Sequence, residues 1–167
     1  MHEIKRTATC GQLNASSTGQ RVTLNGWIAR IRDHGGIKFF DIRDRYGITQ
    51  VVFDIDPSNT DQLAINLAEV KIEYCIAVRG TVRPGPPAMV NLDLPTGEIE
   101  INGEQIHIFS TCDTLPFMIN DHDGTHSEAR EELRLKHRYL DLRSATMQRN
   151  IATRHITPQT FREEFNK

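Results

Sequence analysis

The sequence predicts a mainly β fold: a small five-stranded barrel followed by a helical segment. Three observations carry that prediction. Between residues 21 and 110, five stretches rich in β-branched and aromatic residues are set off by glycine, proline, asparagine and aspartate, the punctuation expected around strands. One stretch of helical period separates the third from the fourth. Past Leu115-Pro116-Phe117 the alternation stops and a charged pattern of helical character takes over.

The elements follow in order. Val22, Leu24, Trp27, Ala29 and Ile31 form the apolar series of the first strand. Its phase shifts at Gly26, which predicts a bulge there in a long, bent strand. Asp33-His34-Gly35-Gly36 supplies a turn. Ile37 to Arg43 is the second strand and Ile48 to Asp54 the third, joined through Asp44-Arg45-Tyr46-Gly47. Ser58 with Asp61 has the Ser-x-x-acid form of a helix start, and Leu63, Ala64, Leu67 and Ala68 fall on one helical face. The fourth strand runs from Tyr74 to Val82, with Ile76, Val78 and Val82 alternating against Arg79 and Arg83. Pro84-Gly85-Pro86-Pro87 through Pro95-Thr96-Gly97 is a loop, because so many prolines cannot hold a ladder. The fifth strand spans Glu98 to Phe109, interrupted near Asn102-Gly103. The order β-β-β-α-β-β is that of an OB-fold, a partly open Greek-key barrel. Such barrels bind oligonucleotides or oligosaccharides on the face of strands two and three and on two flanking loops. Another small five-stranded barrel stays open on order alone.

In the remainder, Asp121 to Thr125 reads as a polar loop and Thr125 with Glu128 as a second capping box. Glu128 to Arg143 reads as a charged helix. Thr157-Pro158 has the form of an N-cap followed by proline in the first helical turn. The expected organisation is a barrel over residues 1–112, a hinge over 113–150, and over 151–167 the cut start of a further domain.

Composition narrows the function classes. The 167 residues carry 20 Lys+Arg against 22 Asp+Glu, a net charge of -2, which argues against a histone-like or polybasic protein. At 38% hydrophobic and 25% charged residues the chain is an ordinary globule rather than a disordered one. No apolar run approaches the ~20 residues needed to cross a bilayer, and Met1 to Arg6 has no hydrophobic signal core. Cys10, Cys75 and Cys112 are few and widely spaced. They read as reduced thiols of a cytoplasmic protein, with no disulfide framework and no metal motif. No glycine-rich phosphate loop and no grouping of nucleophile with base stands out, so no catalytic residue is assigned. His122 and His126 are four apart, but around Asp123-Gly124 a helix is unfavourable; they read as loop histidines rather than metal ligands.

The second strand offers the binding candidate. Phe40 and Ile42 share the core face, which leaves Phe39 on the other face with Asp41 and Arg43. Partial burial under a loop is the plain explanation; a stacking platform for a nucleic acid base is the functional one. Arg30 and Arg32 point opposite to Ala29 and Ile31, and Gln50 opposite to Val51 and Phe53. With the first three strands adjacent, Arg32, Phe39 and Gln50 share one patch: a cation, an aromatic and an amide, the groups that single-stranded RNA readout requires. Arg83 and Glu100 add outward charges on the last two strands, and a glutamate can accept from a base amine.

Gly26-Trp27, Arg30-Ile-Arg-Asp-His-Gly-Gly36, Phe39-Phe-Asp-Ile-Arg-Asp-Arg45 and Gly47-Ile-Thr-Gln-Val51 closely resemble the N-terminal anticodon-binding domain of bacterial-type aspartyl-tRNA synthetases. Cys10-Gly-Gln-Leu13, Gly80-Thr-Val-Arg83, Thr96-Gly-Glu-Ile-Glu100, Leu115-Pro-Phe117 and Arg134 to Arg143 support the resemblance in the same order. It implies that Phe39 stacks on the central anticodon base, a uridine, that Gln50 hydrogen-bonds that base, and that Arg32, Arg83 and Glu100 make further anticodon contacts. It suggests His34 as a group near the third anticodon base, the alternative being a turn histidine with no RNA contact. Family members that charge both aspartate and asparagine tRNA often have histidine there, where strictly specific ones often have leucine. The implied partner is therefore tRNA(Asp), with tRNA(Asn) as a second. The intact relative joins aspartate to tRNA through an aspartyl-adenylate, uses ATP and magnesium, and pairs as a homodimer through its catalytic domain. The class II motifs are absent before Lys167, so this chain is expected to be monomeric, to need no cofactor, and to hold tRNA without catalysis. Two departures from the hinge pattern are His137, where tyrosine is common, and Ser144, where a second arginine is common. The rival expectation is a free-standing OB-fold RNA-binding module without ligase activity.

Overall fold

The structure, a computed structural model, describes residues 4–54, 62–87, 90–91, 94–119 and 129–167. The expected helix start at Ser58 and Asp61, the capping box at Thr125 and Glu128, and His122 and His126 lie outside the described residues. The chain divides into two compact units, Met1–Asp113 and Thr114–Lys167.

The first unit contains strands β1 (Arg21–His34), β2 (Ile37–Arg43) and β3 (Ile48–Asp54), helix α1 (Gln62–Glu69), and strands β4 (Cys75–Pro84) and β5 (Ile99–Ser110). The strands close into a barrel in the order β1-β2-β3-β5-β4. Only β3 and β5 run parallel, meeting at Val51↔Ile101 and Val52↔Asn102. This is the OB-fold that the element order predicts. The barrel is filled by inward side chains. Leu24, Ile28, Phe40, Ile42, Val51 and Ile76 are fully excluded from solvent, each contributing about 1.5–3 kcal/mol relative to exposure. Phe40 meets Phe53 edge to face at 5.7 Å.

Several local features differ from the sequence reading. The slip in β1 lies at Ala29, between Ile28↔Ile42 and Arg30↔Asp41. Trp27 consequently turns outward, 37% exposed, while Ile28 takes the core position. Gly26 has another task. It sits where β1 passes from β4 to β2, and a Cβ there would come 2.5 Å from the Arg43 carbonyl oxygen. On the side away from β2, the main chain of Ile28 bonds to Glu73 and Tyr74: the Glu73 N–H donates to the Ile28 carbonyl at 2.7 Å, and the Ile28 N–H to the Tyr74 carbonyl at 3.1 Å. His34 belongs to β1 and pairs with Ile37, so only Gly35 and Gly36 form the turn, with φ of 64° and 110°. Positive φ at both central residues is the geometry whose twist suits a hairpin.

The fifth strand is unbroken at Asn102-Gly103. Its register against β4 shifts twice: between Arg79↔Gln105 and Gly80↔Gly103, which leaves Glu104 as the extra residue, and between Ile76↔Ile108 and Cys75↔Ser110, which leaves Phe109. Gly103 fits because the ring of Phe53 lies against it, where a Cβ would fall 2.4 Å from Phe53 Cε1.

In the second unit, the charged helix expected over Glu128 to Arg143 is divided. Helix α2 (Glu131–Lys136) stops at His137, whose φ of −111° and ψ of 47° are not helical, and α3 (Arg138–Asp141) follows. Arg134 Nη1 at 3.5 Å and Arg138 Nη1 at 2.5 Å both donate to the buried Asp141 carboxylate. Helix α4 (Ala145–Phe165) starts well before Thr157-Pro158 and carries Pro158 in its interior. Its N-cap is Ser144, whose side chain accepts from the Met147 N–H. The proline forgoes one backbone bond, yet the helix continues for seven residues beyond it.

Candidate nucleic-acid interface

The Gly35-Gly36 hairpin sets Arg32 directly across from Phe39. The guanidinium carbon of Arg32 lies over the Phe39 ring, 5.5 Å from its centroid. His34, at the end of β1, meets the same ring edge-on at 5.7 Å. Phe39 is half-buried and outside the core cluster.

The β2–β3 register continues the patch by placing Asp41 beside Gln50. That register depends on the Asp44 turn, where Asp44 Oδ1 accepts from the Tyr46 and Gly47 N–H groups at 2.7 and 3.1 Å. Arg32 Nη2 donates to Asp41 Oδ1 at 3.0 Å and to Gln50 Oε1 at 2.8 Å. Gln50 Nε2 donates to Glu100 Oε2 at 3.1 Å. Arg83, the register partner of Glu100, donates from Nε to Glu100 Oε1 at 2.7 Å and from Nη1 to Asn102 Oδ1 at 3.3 Å. The outcome is one continuous chain of polar contacts to which all five strands contribute. Together with the ring contacts of His34 and Phe39, it joins Arg32, Gln50, Arg83 and Glu100 on one face.

Sequence reasoning missed three members. Asp41 and Asn102 hold Arg32 and Arg83. Val52 lies on the same outward face as Gln50, only 2% exposed, and stands between its register partners Phe39 and Asn102. The signal for Asp41 was available, since it shares the polar face of β2 with Phe39. Asn102 could not be placed without the β4–β5 bulge.

Beside the network a cleft of about 200 Å³ opens between Arg30, Arg32, Asp41 and Gln50 on one side and Asn91 and Thr96 of the β4–β5 loop on the other. The Thr96 hydroxyl donates to the Ile48 carbonyl, which ties that loop to β3. Among the described residues, the charged groups of the cleft and network are Arg30, Arg32 and Arg83 against Asp41 and Glu100. Such a near-balanced surface suits reading of base edges better than gripping of phosphates alone. Among the described residues, the buried Nε–H of Arg32 has no hydrogen-bond partner. No cluster of His, Cys, Asp and Glu among the described residues could hold a metal ion. No helix among them is long and apolar enough to cross a membrane.

A model of the OB-fold nucleic acid binding domain matches residues 22–109. The aspartate–tRNA(Asp/Asn) ligase of Treponema denticola is 51% identical over 155 residues, covering 92% of this chain and 25% of that protein. The ligase of the same name from Salinibacter ruber is 45% identical over 162 residues, again 25% of its length. The chain thus spans about a quarter of the length of these curated relatives. Among solved structures, the aspartyl-tRNA synthetase of Entamoeba histolytica superposes with a TM-score of 0.83 at 17% identity, covering 98% of this chain and 37% of that one. At such identity the likeness concerns the fold. Since the domain model takes in more than half of its length, and since the barrel has the strand order described above, the chain belongs to the family of OB-fold nucleic acid binding domains.

Proposed function

We propose that this chain is the anticodon-reading part of an aspartate–tRNA ligase, and that it binds the anticodon of tRNA(Asp) on the face formed by Arg32, Phe39, Gln50, Arg83 and Glu100. The observation that carries the reading is the union, on one face, of an aromatic ring outside the core with a polar network drawn from all five strands. The ring supplies sequence-tolerant stacking. The amide of Gln50 uses one of its two acceptor positions on Arg32 and one of its two hydrogens on Glu100. It keeps the other acceptor position and the other hydrogen for a base. Arg32 covers one face of Phe39, so an incoming base takes the other face or slides the guanidinium off the ring while Nη2 keeps its bonds to Asp41 and Gln50.

The whole ligase would join aspartate to tRNA through an adenylate, drawing on ATP and magnesium in the cytoplasm and dimerising through its catalytic part. No step of that reaction is assigned to residues of this chain. The ligase names of the relatives weigh against a free-standing module. For the third anticodon base we propose His34, whose position at the hairpin tip lets it meet cytidine or uridine, so that tRNA(Asn) is accepted as well. The relatives named for both tRNAs support this extension.

The test is a titration of the isotope-labelled chain with an aspartate-type anticodon stem-loop, followed by NMR. Shifts should concentrate on Arg32, His34, Phe39, Gln50, Arg83 and Glu100. Perturbations confined to α1 or α4, or none at all, would refute the assignment.

A further inference from the structure

We propose that Glu100 and Arg32 lock the side-chain amide of Gln50 in one of its two orientations, and that this lock makes the domain select uridine over cytidine. The inference rests on the RNA-binding reading and concerns how that same site discriminates. A free glutamine amide cannot separate the two pyrimidines. Uridine presents the O4 acceptor beside the N3–H donor, whereas cytidine presents its N4 amine donor beside the N3 acceptor. Turning an amide over exchanges its oxygen and its NH2 group, so for a base held in place by stacking, one orientation serves uridine and the other cytidine.

Here the amide has no such freedom. On one side stands the Arg32 guanidinium, 2.8 Å from Gln50 Oε1; it has hydrogens to donate and no acceptor. On the other stands the Glu100 carboxylate, 3.1 Å from Gln50 Nε2; it can only accept. Turning Gln50 over would set NH2 against guanidinium and carbonyl against carboxylate at once. The two holds are themselves fixed. Arg32 is tied to Asp41 at 3.0 Å. Glu100, only 5% exposed at its side chain, is tied to Arg83 at 2.7 Å. Glu100 is thus a positioning residue, and Arg83 positions it in turn.

Glu100→Gln tests the lock with almost no change of shape. Its new oxygen would accept from Arg83 and its new NH2 would face Gln50, favouring the turned-over amide. In the RNA-free protein, the NMR signal of the Gln50 NH2 proton that faces the carboxylate should lie apart from its twin in the wild type and move toward it in Glu100→Gln. In titrations with stem-loops differing only in uridine or cytidine at the central anticodon position, the preference for uridine should fall about tenfold. Glu100→Asp, still an acceptor only, should retain more of it. Should Glu100→Gln fail to fold, Arg83→Met at a half-exposed side chain releases Glu100 and should lower the preference in the same direction by less. An unchanged Gln50 amide signal, or an unchanged pyrimidine preference in folded Glu100→Gln and Arg83→Met, would overturn the lock. Failure of the wild type to bind either stem-loop would instead overturn the functional reading, and the selectivity claim with it. The amide signal would still show whether the orientation is held.

Discussion

Removing the Phe39 ring is the sharpest perturbation of the proposed surface. Base–aromatic stacking is worth about 1–3 kcal/mol by alanine substitution. In the RNA-free domain, however, the ring already holds the Arg32 guanidinium at 5.5 Å from its centroid. Such a contact contributes about 0.5–1 kcal/mol at an exposed site. If the base slides Arg32 off the ring, leaving its bonds to Asp41 and Gln50 in place, the wild type loses that ring contact on binding and the Phe39→Ala variant does not. The net penalty is then about 0.5–2 kcal/mol, a weakening of roughly 2–30-fold. If Arg32 stays and the base takes the other face, the penalty rises toward the full stacking value. Phe39 is outside the core cluster, so the variant should fold. Fluorescence anisotropy with a labelled aspartate-type stem-loop, at one fixed salt concentration because phosphate contacts are salt-dependent, gives both constants. Affinity within twofold of wild type in a folded Phe39→Ala would refute the stacking argument.

Four further outcomes are expected. Gln50→Ala should lower the preference for uridine over cytidine at the central position more than it lowers binding in general, and equal losses on both RNAs would make Gln50 a general contact. Burial and the nearby Asp44 carboxylate push the Cys10 thiol far above its ordinary value, so mass spectrometry after alkylation of the native protein at neutral pH should find Cys112 modified and Cys10 intact; early modification of Cys10 would contradict its burial. Hydrogen bonding from the Thr81 hydroxyl at 2.8 Å, aided by Arg21, holds the Glu104 carboxyl below the usual range. Its small contribution to stability is therefore present above the unfolded value and fades as pH falls through the folded one, and Thr81→Val should raise its titration midpoint by NMR. Gly103→Ala drives a methyl into the Phe53 ring and should lower stability by about 1–3 kcal/mol in urea unfolding; an unshifted midpoint would show that the ring yields freely.

The strands were legible because their inward residues alternate: Phe40 and Ile42, or Val51 and Phe53, leave little choice of face. The bulge was not, because Ile28 and Ala29 are both apolar and the pattern fits either phase. Gly26 then drew the slip to itself, although its smallness answers the approach of the Arg43 carbonyl. Pro158 misled for a similar reason. Proline favours a first turn, but here the Ser144 cap starts the helix earlier and the chain carries the proline through its interior. At the site, residue type and face sufficed to name Arg32, Phe39 and Gln50. Their coupling was hidden, because the contact of Gln50 with Glu100 arises from β3 lying parallel to β5. Separate strand patterns carry no record of that pairing.

On the proposed function, this domain reads an anticodon rather than merely attracting RNA. The most direct measurement is a competition between two stem-loops of identical stem and loop composition, one carrying the aspartate anticodon and the other the same three nucleotides in a different order. An anticodon reader should prefer the aspartate order by at least about tenfold, 1.4 kcal/mol, and the preference should persist as salt is raised while both affinities fall. Equal affinity for the two loops at every salt concentration would contradict it.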